Sequence, residues 1–407
     1  MGAITPIGKT VDEYWRSLVN GISGSEMITR FDASKFNTRF ACEIKNYDPL
    51  DHFDRKEARK LDRYSQFGII SADEAIRDAN LDFPNLDANR IGVIFSSGIG
   101  GFETFEREVV EFAQNDLRPR FNPFFIPKVM SNGLSGVISI RNGLKGVNYA
   151  PVSACASSTQ SVIQAFNYIR LNKADIIIAG GSEAPITAAS IGGFNALRAM
   201  STDNENFRSA SKPFDVNRDG FVVGEGSGAL VVESLDSALR RNVNIHAEIV
   251  GGGETSDAYH ITGTHPDGLG AYRAMALSLE EANISPDKMD YINAHATSTG
   301  IGDLSEIKAI EKLFESNLDR LQISATKSMT GHLLGGTGAV EAIATCLTVQ
   351  SGIIPPTINT TEVDKEISDK LNLTLGEKSS GEVTYALSNS FGFGGHCASL
   401  VLKKYKP

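Results

Sequence analysis

One cysteine stands where a strand-like segment gives way to a helix-like one. Cys155 lies in the stretch VSACASSTQSV, between an extended run and a helical pattern. The first turn of a helix leaves backbone N–H groups unpaired and carries a partial positive charge, and both favour thiolate over thiol. Unpaired cysteines are also among the residues most often buried. The stretch is therefore compatible with a nucleophile and with a core residue.

Two histidines and a lysine lie at strand ends in the second half of the chain. His295 ends the strand-like run MDYINAHA, Lys327 lies near the end of LQISATKS, and His332 is in the turn before an apolar helix. Each histidine alone is as readily explained by a structural role, but α/β folds bind substrates at the carboxyl ends of strands. Because the chain has only seven histidines, two at glycine-flanked strand ends favour a functional role.

A glycine-rich turn, FGFGG, joins two further strand-like runs near the C-terminus. A hairpin turn would explain it, but its exposed backbone N–H groups could also hold an oxyanion. Motifs of other enzyme classes are absent. The segment GIGGFE has Glu103 where a dinucleotide-binding fingerprint needs its third glycine. The sequence also has no P-loop, GxSxG or HExxH pattern. The sequence predicts cysteine chemistry with two histidines, a lysine and backbone donors, and no required cofactor.

Apolar runs that resemble strands alternate with helical patterns, and these elements must position the reactive residues. Strands are predicted over 90–98, 174–184, 228–234, 289–296, 321–328 and 383–390, and helices over 161–174, 304–314 and 338–352. The alternation predicts βαβ units and layered sheets covered by helices. Similar strand, glycine-turn and helix units lie on both sides of a composition change near 240–246. We expect a duplicated architecture with halves 1–242 and 243–407.

The 407-residue chain has an ordinary globular composition, 41% hydrophobic and 22% charged. Its formal net charge of −10 argues against nucleic acid as a partner. The four cysteines are widely spaced and form no CxxC pair, which argues against a disulfide framework and a zinc site. No apolar run reaches the roughly 18 residues of a membrane helix, and there is no signal-peptide core. We expect a cytoplasmic protein that binds no membrane.

Four motifs, in this order, closely resemble those of the β-ketoacyl-acyl carrier protein synthases: ACASS, NAHATST, TKSMTGHLLG and NSFGFGG. The similarity runs along nearly the whole chain and includes DRKEARKLDRYSQF, FNPFFIP, IAGGSEA, GGFNALRAMST and RDGFVVGEGSGAL. It is strongest to the type II elongating enzymes of bacterial fatty acid synthesis. The resemblance implies an α/β thiolase fold, with two βαβαβαββ halves in a five-layer αβαβα arrangement, and a homodimer.

The resemblance also implies roles for individual residues. Cys155 would accept the acyl group, His295 and His332 would flank the malonyl thioester, and Lys327 would support them. Backbone N–H groups of Cys155 and Phe391 would form the oxyanion hole, with the Phe391 ring as a gate. The residues expected to bind substrate are Thr297 and Thr299 along the pantetheine arm, and Ile99, Phe125 and Phe194 around the acyl chain.

The implied reaction is a decarboxylative Claisen condensation that extends an acyl chain by two carbons, with acyl- and malonyl-loaded acyl carrier protein as partners. Carrier proteins are acidic, so a chain of net charge −10 must attract them through local positive potential, within a Debye length of about 8 Å. The expected docking residues are Lys56, Arg59, Lys60, Arg118, Arg120 and Arg198. A solvated helix surface also explains this charge run. A structural Na⁺ or K⁺ ion, as reported in some relatives, would be held by Asn293, Glu341, Ser388 and Asn389.

Several alternatives share the chemistry or the fold. A type I elongating synthase, or a ketosynthase of a polyketide or aryl polyene pathway, would differ in pocket depth and pathway, so acyl chain length stays open. A thiolase would need a second catalytic cysteine in the C-terminal glycine turn, whereas Cys397 falls in the following strand. A chain-length-factor-like partner without catalysis is disfavoured by Cys155, because such proteins lack this nucleophile.

The chain departs from the family pattern at a few positions. Ala296 and Gly300 replace the usual glycine and proline in the loop after His295, and Cys397 replaces a common asparagine. Relatives also begin with a short apolar strand directly before the GAITPIG segment. We expect that strand to be central in the first sheet and Met1 to stand where it would end, which predicts a truncated or mis-set start.

Overall fold

The computed structural model describes residues 1–406; Pro407, the last residue of the predicted C-terminal half, lies outside the described residues. The helices are α1 (Val11–Val19), α2 (Arg55–Lys60), α3 (Arg63–Asp78), α4 (Phe102–Gln114), α5 (Phe125–Val129), α6 (Gly133–Asn142), α7 (Ser157–Arg170), α8 (Ala188–Ala196), α9 (Leu235–Arg241), α10 (Leu269–Ala282), α11 (Gly300–Leu313), α12 (Lys327–Thr330) and α13 (Thr337–Ser351). The strands are β1 (Gly2–Ile4), β2 (Glu26–Met27), β3 (Phe40–Ala41), β4 (Ile91–Ser96), β5 (Asn148–Tyr149), β6 (Ile176–Glu183), β7 (Gly226–Glu233), β8 (Glu248–Ser256), β9 (Tyr291–Asn293), β10 (Gln322–Ser324), β11 (Ile353–Ile354), β12 (Asn372–Leu373), β13 (Ser379–Ser380), β14 (Tyr385–Gly392) and β15 (His396–Lys403).

Two large sheets repeat one topology. The first runs β1-β7-β6-β4-β5, and the second runs β8-β15-β14-β9-β10 with β12 added at its edge. Corresponding neighbours also share direction: β6–β4 and β14–β9 are parallel, whereas β7–β6 and β15–β14 are antiparallel. The sheets draw on residues on either side of the predicted boundary at 242/243. This repetition is the duplicated thiolase fold that the sequence predicts.

Two buried helices lie between the sheets. α7 packs on β6 and β15, and α13 packs on β7 and β14, while α3 and α10 cover the outer faces of the first and second sheets. α13 is buried over nearly its whole length and ends at Gly352, whose φ of +73° is left-handed. A glycine is favoured there because it adopts this conformation without strain. The predicted αβαβα layering and the buried helix are confirmed.

Two predicted strands are much shorter than expected. The predictions over 289–296 and 321–328 correspond to β9 and β10, each of three residues. The chain leaves the sheet after Asn293 and after Ser324. His295 and Lys327 therefore lie in segments that turn into the interior, beyond the strand ends, which is what brings them into one site.

The expected position of the first strand is wrong. β1 lies at the edge of its sheet and pairs only with residues 227–229 of β7. The centre is occupied by β6, which pairs with β7 on one side and β4 on the other. In the second sheet β8 takes the corresponding edge position and pairs along the whole of β15. Within residues 1–406, no helix combines the length and apolar character needed to cross a bilayer.

Candidate active site

Cys155 sits in a tight turn at the start of the buried helix α7. The turn is a 3-10 helix over Ala154–Ala156 that continues directly into α7. Ala154 has a φ of +50°, a left-handed conformation that costs a non-glycine residue about 1–3 kcal/mol. Ser157 holds the turn, because its hydroxyl donates to Ala154 O at 2.7 Å and accepts the Ser153 N–H at 2.9 Å. This strained turn presents the thiol to a cavity.

His332 is the side chain closest to the thiol. Its Nε2 lies 3.0 Å from Cys155 Sγ, and its Nδ1 lies 3.0 Å from the Thr337 hydroxyl at the start of α13. When Nδ1 carries the proton and donates to Thr337, the Nε2 lone pair faces the thiol. When the Thr337 hydroxyl donates instead, Nε2 carries the proton and faces the cavity as a donor. The threonine thus fixes the ring while permitting both roles.

His295 is oriented through its backbone. The buried Glu306 carboxylate accepts the N–H of His295 at 2.9 Å and that of Ala296 at 2.7 Å. These bonds hold the loop after β9 so that the His295 ring lies edge-on to the His332 ring, with 5.4 Å between centroids. His295 Nδ1 has no hydrogen-bond partner within residues 1–406. Two imidazoles therefore line one side of the space above the thiol.

Lys327 forms a buried ion pair close to both histidines. Its ammonium lies 2.7 and 2.8 Å from the Glu341 carboxylate oxygens, and both side chains are almost fully buried. Burial raises the pKa of Glu341 to about 7, while the Lys327 ammonium lowers it. Burial, reinforced by that ammonium, lowers the pKa of His295 and of His332 well below the usual range. Both histidines are therefore neutral at pH 7.

The backbone donor opposite the thiol comes from Phe393, not from Phe391 as predicted. The Phe393 N–H faces the Cys155 sulfur and lowers the pKa of the thiol. Phe391 belongs to β14, where it pairs with Cys397, and its ring packs on His295 with 5.7 Å between centroids. Phe391 is still within β14, whereas Phe393 follows in the turn between β14 and β15. We assign the second oxyanion donor to Phe393.

Burial decides the protonation of the nucleophile. It raises the pKa of the Cys155 thiol to about 11, although the Phe393 N–H and the Lys327 ammonium lower it. The resting site therefore does not have the low-pKa thiol expected at a helix N-terminus, because burial raises the pKa of Cys155 more than the neighbouring donors lower it. Burial raises the pKa of Cys346 and of Cys397 to about 12, and that of Cys42 further still. Burial thus raises the pKa of all four thiols.

A cavity of about 700 Å³ opens above the thiol. Of the residues predicted from the sequence, those that line it are Cys155, His295, His332, Ile99, Phe194, Thr297, Thr299, Phe391 and Arg198. Phe125 is not among them; it lies on α5, where its ring stacks on Phe121. The other predicted docking residues, on α2 and just before α5, are exposed but lie outside the cavity.

The predicted cation ligands are divided between two faces of β14. Ser388 lies beside Asn293 of β9, and within residues 1–406 neither Ser388 Oγ nor Asn293 Nδ2 has a hydrogen-bond partner. Thr326 Oγ1 links Asn293 to Glu341, at 3.5 and 3.1 Å. Asn389 points the other way, towards Glu306 and Ser399, because side chains alternate along a strand. Asn293 is thus linked to Glu341 through Thr326 and neighbours Ser388, whereas Asn389 lies apart from them.

Several residues that hold the site were missed from the sequence. They are Glu183, Glu306, Thr337, Phe393 and Arg218. A carboxylate inside an otherwise apolar strand, as in IAGGSEA, was an available signal, because a buried charge needs several donors. No comparable signal marks the others, since their roles depend on contacts between distant segments.

Comparison with known proteins agrees with this geometry. The family models described as "Beta-ketoacyl synthase, N-terminal domain" and "Beta-ketoacyl synthase, C-terminal domain" match residues 1–238 and 246–361. The chain is 47% identical to 3-oxoacyl-[acyl-carrier-protein] synthase 2 of Staphylococcus aureus (strain N315) over 406 residues, 100% of this chain and 97% of that protein. It is 44% identical to the protein of the same name from Synechocystis sp. (strain ATCC 27184 / PCC 6803 / Kazusa), again over 100% of this chain and 97% of that protein.

Solved structures with the same architecture include a β-ketoacyl synthase from Burkholderia phymatum STM815. The TM-score is 0.91 at 31% identity, over 100% of this chain and 98% of that one. A chain of a complex described as a type II polyketide acyl-carrier protein with its ketosynthase, AntDE:AntF, gives a TM-score of 0.92 at 30% identity, over 99% of this chain and 98% of that one.

Proposed function

Because the chain belongs to the β-ketoacyl synthase family, we infer that it is a 3-oxoacyl-acyl carrier protein synthase that elongates fatty acids. It condenses an acyl thioester with malonyl-acyl carrier protein, releases CO₂ and leaves a chain two carbons longer. One contact carries this assignment above all others, namely the 3.0 Å approach of His332 Nε2 to Cys155 Sγ at the base of the cavity.

Acyl transfer is the first half-reaction. His332 Nε2 accepts the thiol proton while Cys155 Sγ bonds to the acyl carbonyl carbon. The N–H groups of Cys155 and Phe393 stabilise the oxyanion that forms. The bond between the acyl carbon and the carrier's pantetheine sulfur then breaks, that sulfur takes the proton from His332, and the acyl group stays on Cys155.

Condensation follows when the malonyl thioester occupies the cavity. The C–C bond to the carboxylate breaks, CO₂ leaves, and the electron pair forms an enolate whose charge lies on the thioester oxygen. N–H groups of the neutral His295 and His332 donate to that oxygen. The enolate carbon then attacks the acyl carbon, the acyl–sulfur bond breaks, and the Cys155 thiolate takes up a proton from solvent.

Mass spectrometry tests the assignment directly. We expect acyl-acyl carrier protein to add one acyl mass to the protein, at the peptide that contains Cys155, and malonyl-acyl carrier protein to release CO₂ from the acylated form. Acyl groups on Cys346 or Cys397, or no acylation at all, would contradict the assignment.

We propose that the carrier protein docks on the basic side chains beside the cavity. Arg198 lines the cavity mouth, and Lys56, Arg59 and Lys60 are exposed on α2. Reversal of those three α2 side chains to Glu should raise KM for malonyl-carrier protein strongly and reduce its salt dependence. Turnover of small pantetheine thioesters should hardly change. Reversal of Lys288, Lys370 and Lys378, which are also exposed, is the matched control for net charge; equal effects of both triple changes would contradict the proposed surface.

We further propose that the enzyme is a cytoplasmic homodimer. Large apolar side chains are exposed on α4, α5 and α6, including Phe105, Ile126 and Ile140, and β5 is an edge strand. An apolar face of this kind is typical of a protein interface. It also bears Phe125, which a partner subunit would bring close to an acyl pocket. Ile126→Glu with Ile140→Glu should halve the mass measured by light scattering from about two chains to one; a wild-type monomer would contradict the dimer.

A monovalent cation is proposed between β9 and β14. Asn293, Ser388 and Glu341 would hold it, while Asn389 could contribute only its backbone carbonyl. The cation would brace the strand ends that precede His295. Replacing K⁺ and Na⁺ by a bulky organic cation should then lower the thermal midpoint of unfolding of the wild type more than that of Ser388→Ala.

A further inference from the structure

A buried arginine that was not predicted from the sequence lines the cavity and bonds to a loop of the cavity wall. The Arg218 side chain is only 2% exposed. Its Nε donates to Thr299 O at 3.1 Å and its Nη2 to Gly300 O at 2.7 Å. Its Nη1 donates to the Asp364 carboxylate at 2.7 Å. The guanidinium is thus fixed between a carboxylate and two consecutive carbonyls of the loop.

The segment that carries Arg218 secures the same loop at one more point. The Gly220 N–H donates to Ser298 O at 3.0 Å, so residues 218–220 bond to three successive carbonyls. Ser298 has a φ of +67°, a left-handed conformation that a non-glycine residue adopts only when its surroundings impose it. Thr297 and Thr299 flank it, and their hydroxyls lie 3.1 Å apart in the cavity wall.

The opposite side of this segment is bonded to the other rim of the cavity. The Phe221 N–H donates to Ala199 O and the Ser201 N–H donates to Phe221 O, both at 3.0 Å. Ala199 lines the cavity together with the acyl-pocket side chain Phe194. Residues 218–221 therefore tie the two rims together, and Arg218 supplies the bonds to the rim that carries the threonines.

We propose that Arg218 is a positioning residue for the substrate arm. Its guanidinium holds the loop over residues 298–300 in the conformation that presents the Thr297 and Thr299 hydroxyls to pantetheine. This inference rests on the proposed function. Lysine cannot replace arginine here. A guanidinium has a planar fork of donors that reaches two carbonyls and a carboxylate at once, whereas the compact ammonium of lysine cannot reach all three.

Arg241 offers a matched control. Its guanidinium also bonds to two consecutive carbonyls, Ala79 O at 2.6 Å and Asn80 O at 2.9 Å, and to the carboxylate of Glu233 at 2.9 Å. None of these residues lines the catalytic cavity. Arg241→Lys removes the same kind of clamp at a site without substrate contacts.

The test measures acylation of Cys155 by hexanoyl-pantetheine, followed by intact mass as a function of thioester concentration. Arg218→Lys should raise KM about tenfold, the change that about 1.4 kcal/mol makes in a binding constant, with a smaller change in the maximal rate. Arg218→Gln should raise KM at least as much. Arg241→Lys should lower the thermal midpoint of unfolding. Its KM should stay within about twofold of the wild-type value, well short of the tenfold change that corresponds to 1.4 kcal/mol.

Each other outcome overturns the proposal. An unchanged KM in folded Arg218→Lys, or an equal rise in Arg241→Lys, would make the clamp merely structural. Failure of both Arg218 variants to fold would place Arg218 in the core and reject a positioning role. If the wild type itself is not acylated, the proposed function fails first, and that result is distinguishable because it does not depend on residue 218.

Discussion

The two halves of the molecule build the same backbone turn and use it differently. A 3-10 turn over Ala154–Ala156 precedes α7, and one over Leu334–Gly336 precedes α13. Each begins with a non-glycine residue in the left-handed region, Ala154 at φ +50° and Leu334 at φ +46°. The middle residue is Cys155 in the first turn and Gly335 in the second. One turn thus carries the nucleophile and its counterpart carries no side chain.

The surroundings of the second turn explain the difference. The Gly335 N–H donates to the buried Glu183 carboxylate at 3.0 Å, which also accepts the Gly98 N–H at 2.7 Å and the Ile99 N–H at 3.1 Å. A Cβ at residue 335 would lie 2.2 Å from Gly98 N and 2.6 Å from Glu183 Oε2. Glu183 thus fills the space beside Gly335 and braces the loop over residues 98–99. A duplicated fold offers two such turns, and packing decides which one can hold a reactive group.

Of the changes that test this comparison, removal of the nucleophile should have the largest effect on activity. Cys155→Ala should abolish acylation by acyl-carrier protein, because the second turn offers no substitute side chain. Intact-mass spectrometry measures the loss. Cys346→Ala, a change at another buried cysteine, is the control and should be acylated to the wild-type extent. Acylation that survives in Cys155→Ala would show that another side chain can accept the acyl group.

Loss of either histidine tests the contribution of the second half. In the Cys155→Gln background, which resembles the acylated state, His295→Ala or His332→Ala should reduce CO₂ release from malonyl-carrier protein about 100- to 1,000-fold, the effect of removing one oxyanion donor in other enzymes. His52→Ala, at an exposed histidine, is the control and should have no effect. CO₂ release at the parental rate in both variants would remove the histidines from the decarboxylation step.

A methyl group added at Gly335 tests why the second turn carries no side chain at its middle position. Gly335→Ala should lower the free energy of unfolding by about 3 kcal/mol, the upper part of the range for an overpacked core, since its Cβ would meet backbone at 2.2 Å. Gly136→Ala, at a helical glycine with open space around it, should be neutral or stabilising. Chemical denaturation compares them, and equal stabilities would mean that Glu183 and its loop can move aside.

The protonation of Cys155 predicts the smallest step, about tenfold in alkylation rate for each single pH unit. Because burial raises the pKa of this thiol to about 11, the thiolate fraction and the rate of alkylation by iodoacetamide should rise about tenfold per pH unit from pH 7 to 10. Cys155 should react before Cys346 and Cys397. A rate that levels off below pH 8 would show that the helix N-terminus, and not burial, controls the thiol.

The pattern of strands and helices could be predicted because it depends on the local periodicity of apolar residues. The apolar runs of β4, β6 and β7, and the unbroken apolar surface of α13, reflect burial on both sides and are visible residue by residue. Cys155, His295, His332 and Lys327 could be singled out for the same reason, since each stands where one kind of local pattern ends. The sequence alone thus determined the layers and the reactive side chains.

Only the tertiary structure decided how those side chains behave. Phe393 replaces Phe391 as the backbone donor because the turn after β14 places the Phe393 N–H against Cys155. The Cys155 pKa rises because surrounding layers exclude water, which no spacing of residues reveals. Glu183 and Arg218 act on loops far away in the chain, at Gly335 and at Thr299. Desolvation and long-range hydrogen bonds depend on which segments meet, and that is a property of the folded chain as a whole.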